Sequence, residues 1–133
     1  MKKKLIPILL VAVVVIAGAL YFLVIRPGGG EEPVVYTEYS PGDFFVDNVK
    51  DTSYLFKINM VLVVDSEKII DDMSKANNRI RDTIHLTLRS LDLDMLTDVE
   101  QTDDIKRLIA DAVNKRLEIT NVVDVYFTEF VVQ

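Results

Sequence analysis

An uncharged run of 21 residues, 5–25, constrains this chain more than any other feature. At 1.5 Å per residue a helix of that length spans roughly 31 Å, which matches a bilayer hydrocarbon core of about 30 Å. Fifteen of the run's residues are Leu, Ile, Val or Phe. Each contributes roughly −0.3 to −0.6 kcal/mol near a helix centre, so insertion is favourable by on the order of 5–9 kcal/mol. Pro7 falls in the first turn, where a missing N–H costs little, and Gly18 is tolerated in a membrane helix. Lys2, Lys3 and Lys4 precede the run and only Arg26 follows closely, an asymmetry that keeps residues 1–4 in the cytoplasm and places everything after Arg26 outside. A cleaved signal peptide shares the basic start, the apolar stretch 5–16 and the small residues Ala17, Gly18 and Ala19. The run continues through Leu20, Tyr21, Phe22, Leu23, Val24 and Ile25. That exceeds a signal h-region of about 7–15 residues and favours a retained single-pass anchor.

The remainder of the 133 residues has room for one modest domain, expected over residues 43–133. A core of that size profits from a partner that covers part of its apolar surface. Beyond Arg26 the chain carries 11 basic and 21 acidic side chains, a net charge of −10. Phosphate backbones repel such a surface, which excludes nucleic acid as a partner. The absence of cysteine removes disulfides, thiolate zinc sites and cysteine nucleophiles together.

Residues 26–42 read as a linker, because Pro27, Gly28, Gly29, Gly30 and Pro33 break regular structure and Pro41-Gly42 marks a turn. Within it Val34, Val35, Tyr36 and Tyr39 are apolar enough to contact a partner. Residues 44–49 and 54–64 read as a hairpin. In the second strand Tyr54, Phe56, Ile58, Met60, Leu62 and Val64 share a core face, and Val61 and Val63 make the end of the other face apolar, which calls for cover there. Ser66 offers an N-cap to a helix of some 25 residues with Ile69, Met73, Ala76, Ile80, Ile84, Leu88 and Leu91 on its stripe. Thr102 is expected to cap a second helix, with Asp103 and Asp104 complementing the dipole at its start and Lys115 and Arg116 at its end. Residues 122–132 form a strand with no polar face, which implies a central strand or one covered on both sides. The order ββααβ indicates an α+β domain with helices packed on a small sheet.

No residue pattern points to catalysis, and no cofactor or metal is expected. His85 is the single histidine, so no His pair is available, and its place beside Ile84 on a helix flank gives it no functional role. Asp92, Asp94, Asp98, Glu100, Asp103 and Asp104 lack the D-x-D-x-D-G spacing of a calcium loop, and the last two acidic side chains are accounted for by the helix dipole. The three glycines 28–30 follow a membrane helix instead of a strand, so they are linker and not a phosphate loop. Arg79, Arg81 and Asp82 lie together on the long helix, where surface ion pairing competes with a subunit or partner contact.

The ending Val122-Val123-Asp124-Val125-Tyr126-Phe127-Thr128-Glu129-Phe130-Val131-Val132-Gln133 resembles the C-terminal strand of the family of the flagellar basal body-associated protein FliL. Ile80-Arg81-Asp82-Thr83-Ile84, Val46-Asp47-Asn48-Val49 and the basic start with its single apolar helix extend the resemblance over essentially the whole chain. It implies a non-enzymatic protein of the bacterial inner membrane at the flagellar basal body. Its periplasmic domain is then similar to the stomatin, or SPFH, fold and assembles with itself in rings around stator units, which it holds in their torque-generating state. Tyr126 and Phe130 join the candidate contacts on this basis. A pilin-like or secretion-system subunit is the alternative, but it calls for a glycine processing site before the apolar run and a glutamate within it, and neither is present. An exported hydrolase ranks behind both. The charge of −10 on the exported part opposes self-association, so assembly is expected to strengthen as salt screens it.

Overall fold

The computed structural model describes residues 2–24 and 33–133. The chain divides into two units, Met1–Pro33 and Val34–Gln133. The first contains helix α1, Lys2–Val24, within which Leu5–Val24 is long and apolar enough to cross a membrane, with a mean hydropathy of 2.8. Of the expected linker, residues 26–32 lie outside the described residues.

The second unit is α+β. Its strands are β1 (Thr37–Tyr39), β2 (Phe45–Asn48), β3 (Leu55–Val64) and β4 (Val122–Val132), and its helices are α2 (Ile70–Lys75), α3 (Asn77–Arg89), α4 (Leu93–Thr97) and α5 (Thr102–Leu117). All pairings are antiparallel and all involve β3. β1 and β2 lie end to end along one edge of β3, with Thr37 opposite Val64 and Phe45 opposite Ile58, while β4 runs along the other edge.

The period-two pattern of β3 holds as expected from Phe56 onward. Phe56, Ile58, Met60, Leu62 and Val64 are fully buried beneath Met73, Ile80, Ile84, Leu88, Ile105, Ile109 and Val113 from the helices. Each such side chain is worth roughly 1.5–3 kcal/mol of transfer free energy, and this single layer of helix on sheet is where the domain's stability resides. Tyr54, expected on the same face, is half exposed because β3 begins one residue after it.

Four other expectations change. Strand β1 lies inside the stretch expected to be linker, since Tyr39 is buried and its hydroxyl donates to Asn77 Oδ1 at 2.6 Å and approaches the Met73 carbonyl at 3.2 Å. The long helix is interrupted. Ser66 caps a 3-10 turn, Glu67–Ile69, by accepting from the Lys68 N–H, and Ala76, at φ −95° and ψ 14°, separates α2 from α3 where Tyr39 docks. Thr102 is the first residue of α5 and not its cap; a 3-10 turn, Val99–Gln101, leads in, capped by Asp98 through the Glu100 N–H. The short helix α4 was not expected at all, and Asp92 caps it through the Met95 N–H. Two of the acidic residues between 92 and 104 thus hold helix starts. The observed order has one strand and two α-helices more than ββααβ, besides the two 3-10 turns.

The absence of a polar face on β4 has a local cause. The ladder slips between Asn59 and Met60 and again between Val63 and Val64, so Thr128 and Val123 are extra residues on β4. Each bulge resets the alternation. Val122, Val125, Phe127, Phe130 and Val132 then face the helices, and Val123, Tyr126 and Val131 are exposed. Within the described chain β4 is therefore an edge strand with one uncovered face, not a central strand.

Candidate interaction surface

The uncovered face of the sheet is built from the β3 residues that alternate with the core. Lys57 stands between Val46 of β2 and Val131 of β4, and Val61 stands opposite Tyr126. Lys57 Nζ lies 3.5 Å from Glu129 Oε1 and 4.0 Å from the centre of the Phe44 ring. The ion pair is more than a third exposed on both sides and carries little stability. Around it Val46, Leu55, Tyr126 and Val131 are exposed, giving an apolar field with one central charge pair. That arrangement suits protein contact: apolar area supplies affinity and the pair fixes register. Val63, expected to need cover, is buried, flanked in the ladder by Glu38 and Asp124.

The candidate contacts found in the sequence fall into three groups. Val34, Val35, Tyr36 and Tyr126 are all at least 45% exposed and available. Phe130 is half-buried and meets Phe127 edge to face at 5.1 Å. Tyr39 and Arg81 are engaged inside the domain. Arg81 Nη1 donates to the Pro41 carbonyl at 3.1 Å and the Asp43 carbonyl at 2.9 Å, and its guanidinium lies 4.5 Å from the Phe45 ring centre. Gly42 makes this possible: its φ is +113°, and a Cβ there would lie 3.1 Å from Arg81 Nη1. Arg81 thus clamps the turn between β1 and β2. Asp82 is exposed, and Arg79 donates to the Arg116 carbonyl at 2.9 Å, tying α3 to the end of α5. Arg79, Lys115 and Arg116 line one open groove of about 540 Å³ with Thr83, Ala112 and Glu118, a basic spot on an acidic domain. The last two cations are the ones read from the sequence as helix-dipole partners; only the fold adds Arg79 to them.

One constellation escaped the sequence reading. His85 Nε2 lies 2.7 Å from Asp47 Oδ2, and Arg89 Nε lies 3.2 Å from the same oxygen, so α3 is pinned to β2. The spacing of His85 and Arg89 is one helical turn, which is a visible signal, but Asp47 is 38 residues away and only the fold brings it there. The His85 hydrogen bond, then the Asn48 N–H, hold the Asp47 carboxyl below its ordinary value of 3.8; partial burial opposes them and Arg89 assists. A carboxylate depressed on folding adds stability above its unfolded pKa and loses it as pH falls through the folded value. Thermal unfolding of the full chain in detergent is therefore expected to show a steeper loss of stability for wild type than for Asp47→Asn as pH drops below about 4. Parallel curves for the two proteins would show that the contact contributes nothing.

A protein-family model described as flagellar basal body-associated protein FliL matches residues 39–133. No curated protein matches the chain.

Proposed function

The chain belongs to the family of the flagellar basal body-associated protein FliL, a flagellar motor accessory family, and from that premise we propose that it is a non-enzymatic scaffold for the motor's stator units. The match over residues 39–133, which covers nearly all of the α+β unit, is the observation that carries this reading. In it α1 holds the chain in the cytoplasmic membrane with its N-terminus inside. The α+β unit stands in the periplasm, resembles the SPFH fold, and joins copies of itself in a ring around a stator. The exposed field around Val46, Leu55, Tyr126 and Val131 and the exposed residues 34–36 and Asp82 supply the contacts, whereas Tyr39 and Arg81 keep the unit folded. A ring multiplies weak contacts, so each protomer requires only modest affinity for the stator, and assembled stators are held in place by avidity.

The test is a deletion strain. Filaments are expected to assemble normally while motor torque under load falls, and the full chain, but not residues 1–33 alone, is expected to restore it. Unchanged torque at every load in the deletion strain would sink the proposal.

A further inference from the structure

The outer edge of β4 is open. Among the described residues no strand pairs with it. The reciprocal bonds between Leu55 and Gln133, at 2.6 and 2.9 Å, set the phase of the ladder. Alternate residues bond across an antiparallel pair. With Val131 opposite Lys57 and Glu129 opposite Asn59, those two bond to β3, and Phe130 and Val132 direct their N–H and carbonyl groups away from the sheet. Beside this edge Leu96, Thr97, Asp98, Val99, Thr102, Phe127 and Phe130 enclose a mostly apolar groove of about 250 Å³. That is smaller than the roughly 300–1,000 Å³ of small-molecule sites and fits side chains of a peptide. Val99, on its rim, is 85% exposed. An unpaired edge with a side-chain groove beside it is the geometry of strand addition.

The same chain carries a short segment outside its own sheet. Residues 34–36 precede β1 without regular structure, and all three are exposed. They overhang the sheet, because Thr37 already pairs with Val64, the last residue of β3. Val, Val and Tyr are strand formers. The segment cannot fold back onto its own β4. From Thr37 at the opposite edge it would have to cross three strand spacings, about 14 Å, with three residues that reach about 10 Å. It is also uncharged, whereas Asp98 on the groove rim disfavours an acidic occupant.

We propose that residues 34–36 of one copy add as a strand to the β4 edge of a second copy, with side chains seated against Val99, Phe127 and Phe130. This rests on the self-association proposed above and specifies its contact. Alternation places Val35 on one face and Val34 and Tyr36 on the other, and in this docking Val35 enters the groove beside Val99 while Val34 and Tyr36 lie beside Val131 on the outer face. The contact uses two different surfaces, so it propagates head to tail and closes only as a ring, unlike a twofold dimer.

The natural absence of cysteine makes the test direct. Full-length V35C/V99C in detergent, treated with a short bismaleimide, is expected to give a ladder beyond dimers, and chains bearing V35C or V99C alone are not. V35D, at an exposed position outside the core, is expected to leave the Tm of the full chain unchanged and to weaken its self-association by about tenfold or more in sedimentation, since a carboxylate would enter an apolar groove. Wild-type association that V35D leaves untouched, or crosslinks that stop at dimers, would overturn the strand addition while leaving assembly standing. A wild-type chain that is monomeric at all concentrations and salt levels would overturn both.

Discussion

The double substitution Val14→Arg, Val15→Arg is expected to move the protein from the membrane pellet to the soluble fraction on alkaline extraction. Both residues lie at the middle of the span Leu5–Val24. Fourteen of its residues are Leu, Ile, Val or Phe, which together favour insertion by on the order of 4–8 kcal/mol. Two arginines at the helix centre add about 5–7 kcal/mol against it and remove the contribution of two valines, so the balance comes out near zero. Neither arginine can snorkel to an interface from there. The substitutions lie outside the α+β unit, which should keep its fold, visible as unchanged cooperative unfolding of the released protein. Retention of the double variant in the pellet would mean that something other than this helix holds the chain to the membrane.

The second large effect lies in the sheet. Phe56 is completely buried, with Asp47 opposite it on one side and Val132 on the other. Phe56→Ala is expected to cost about 3–5 kcal/mol, lost transfer energy plus an unfilled cavity. Set against a total of about 5–15 kcal/mol for an ordinary domain, that is a large share. At roughly 4–8 °C per kcal/mol for a unit of this size, Tm should fall by more than about 10 °C in a thermal scan. Tyr54→Ala serves as the control, because Tyr54 is half exposed and the change should cost less than about 1 kcal/mol. Equal losses for the two would show that the sheet's core does not begin where β3 does.

The difference between these two residues also measures how far the sequence could be read. Alternation placed Tyr54 and Phe56 on one face, which is right for a strand that continues through both, but nothing local announces where pairing stops. β4 carries the same lesson. Its bounds, 122–132, follow from composition, yet the two bulges at Val123 and Thr128 depend on β3 and leave no local mark. Without them the strand looks two-sided and central; with them its outer face and edge are open. The helix stripes were legible because their period is internal to each helix: Ile80, Ile84 and Leu88 on α3 and Ile105, Ile109 and Val113 on α5 are all buried. The break at Ala76 was not, since the residue that docks there, Tyr39, lies 34 positions from Met73. Residues 34–36 were recognisable as apolar candidates from composition, and Tyr126 entered through the family resemblance. Contacts that join distant segments, such as Asp47 with His85 and Arg81 with Pro41 and Asp43, came only with the fold.

Arg81's grip on the turn after β1 governs how the domain meets mechanical load. Tension transmitted along the backbone from the side of residue 33 reaches the three-residue strand β1 first. β1 is held there by Tyr39, buried and bonded to Asn77, and behind it stand two carbonyls held by a single guanidinium. Two anchors in succession, a buried ring and a guanidinium clamp, thus lie along the backbone between residue 33 and the β2–β3–β4 sheet, as two cleats share the pull of one line.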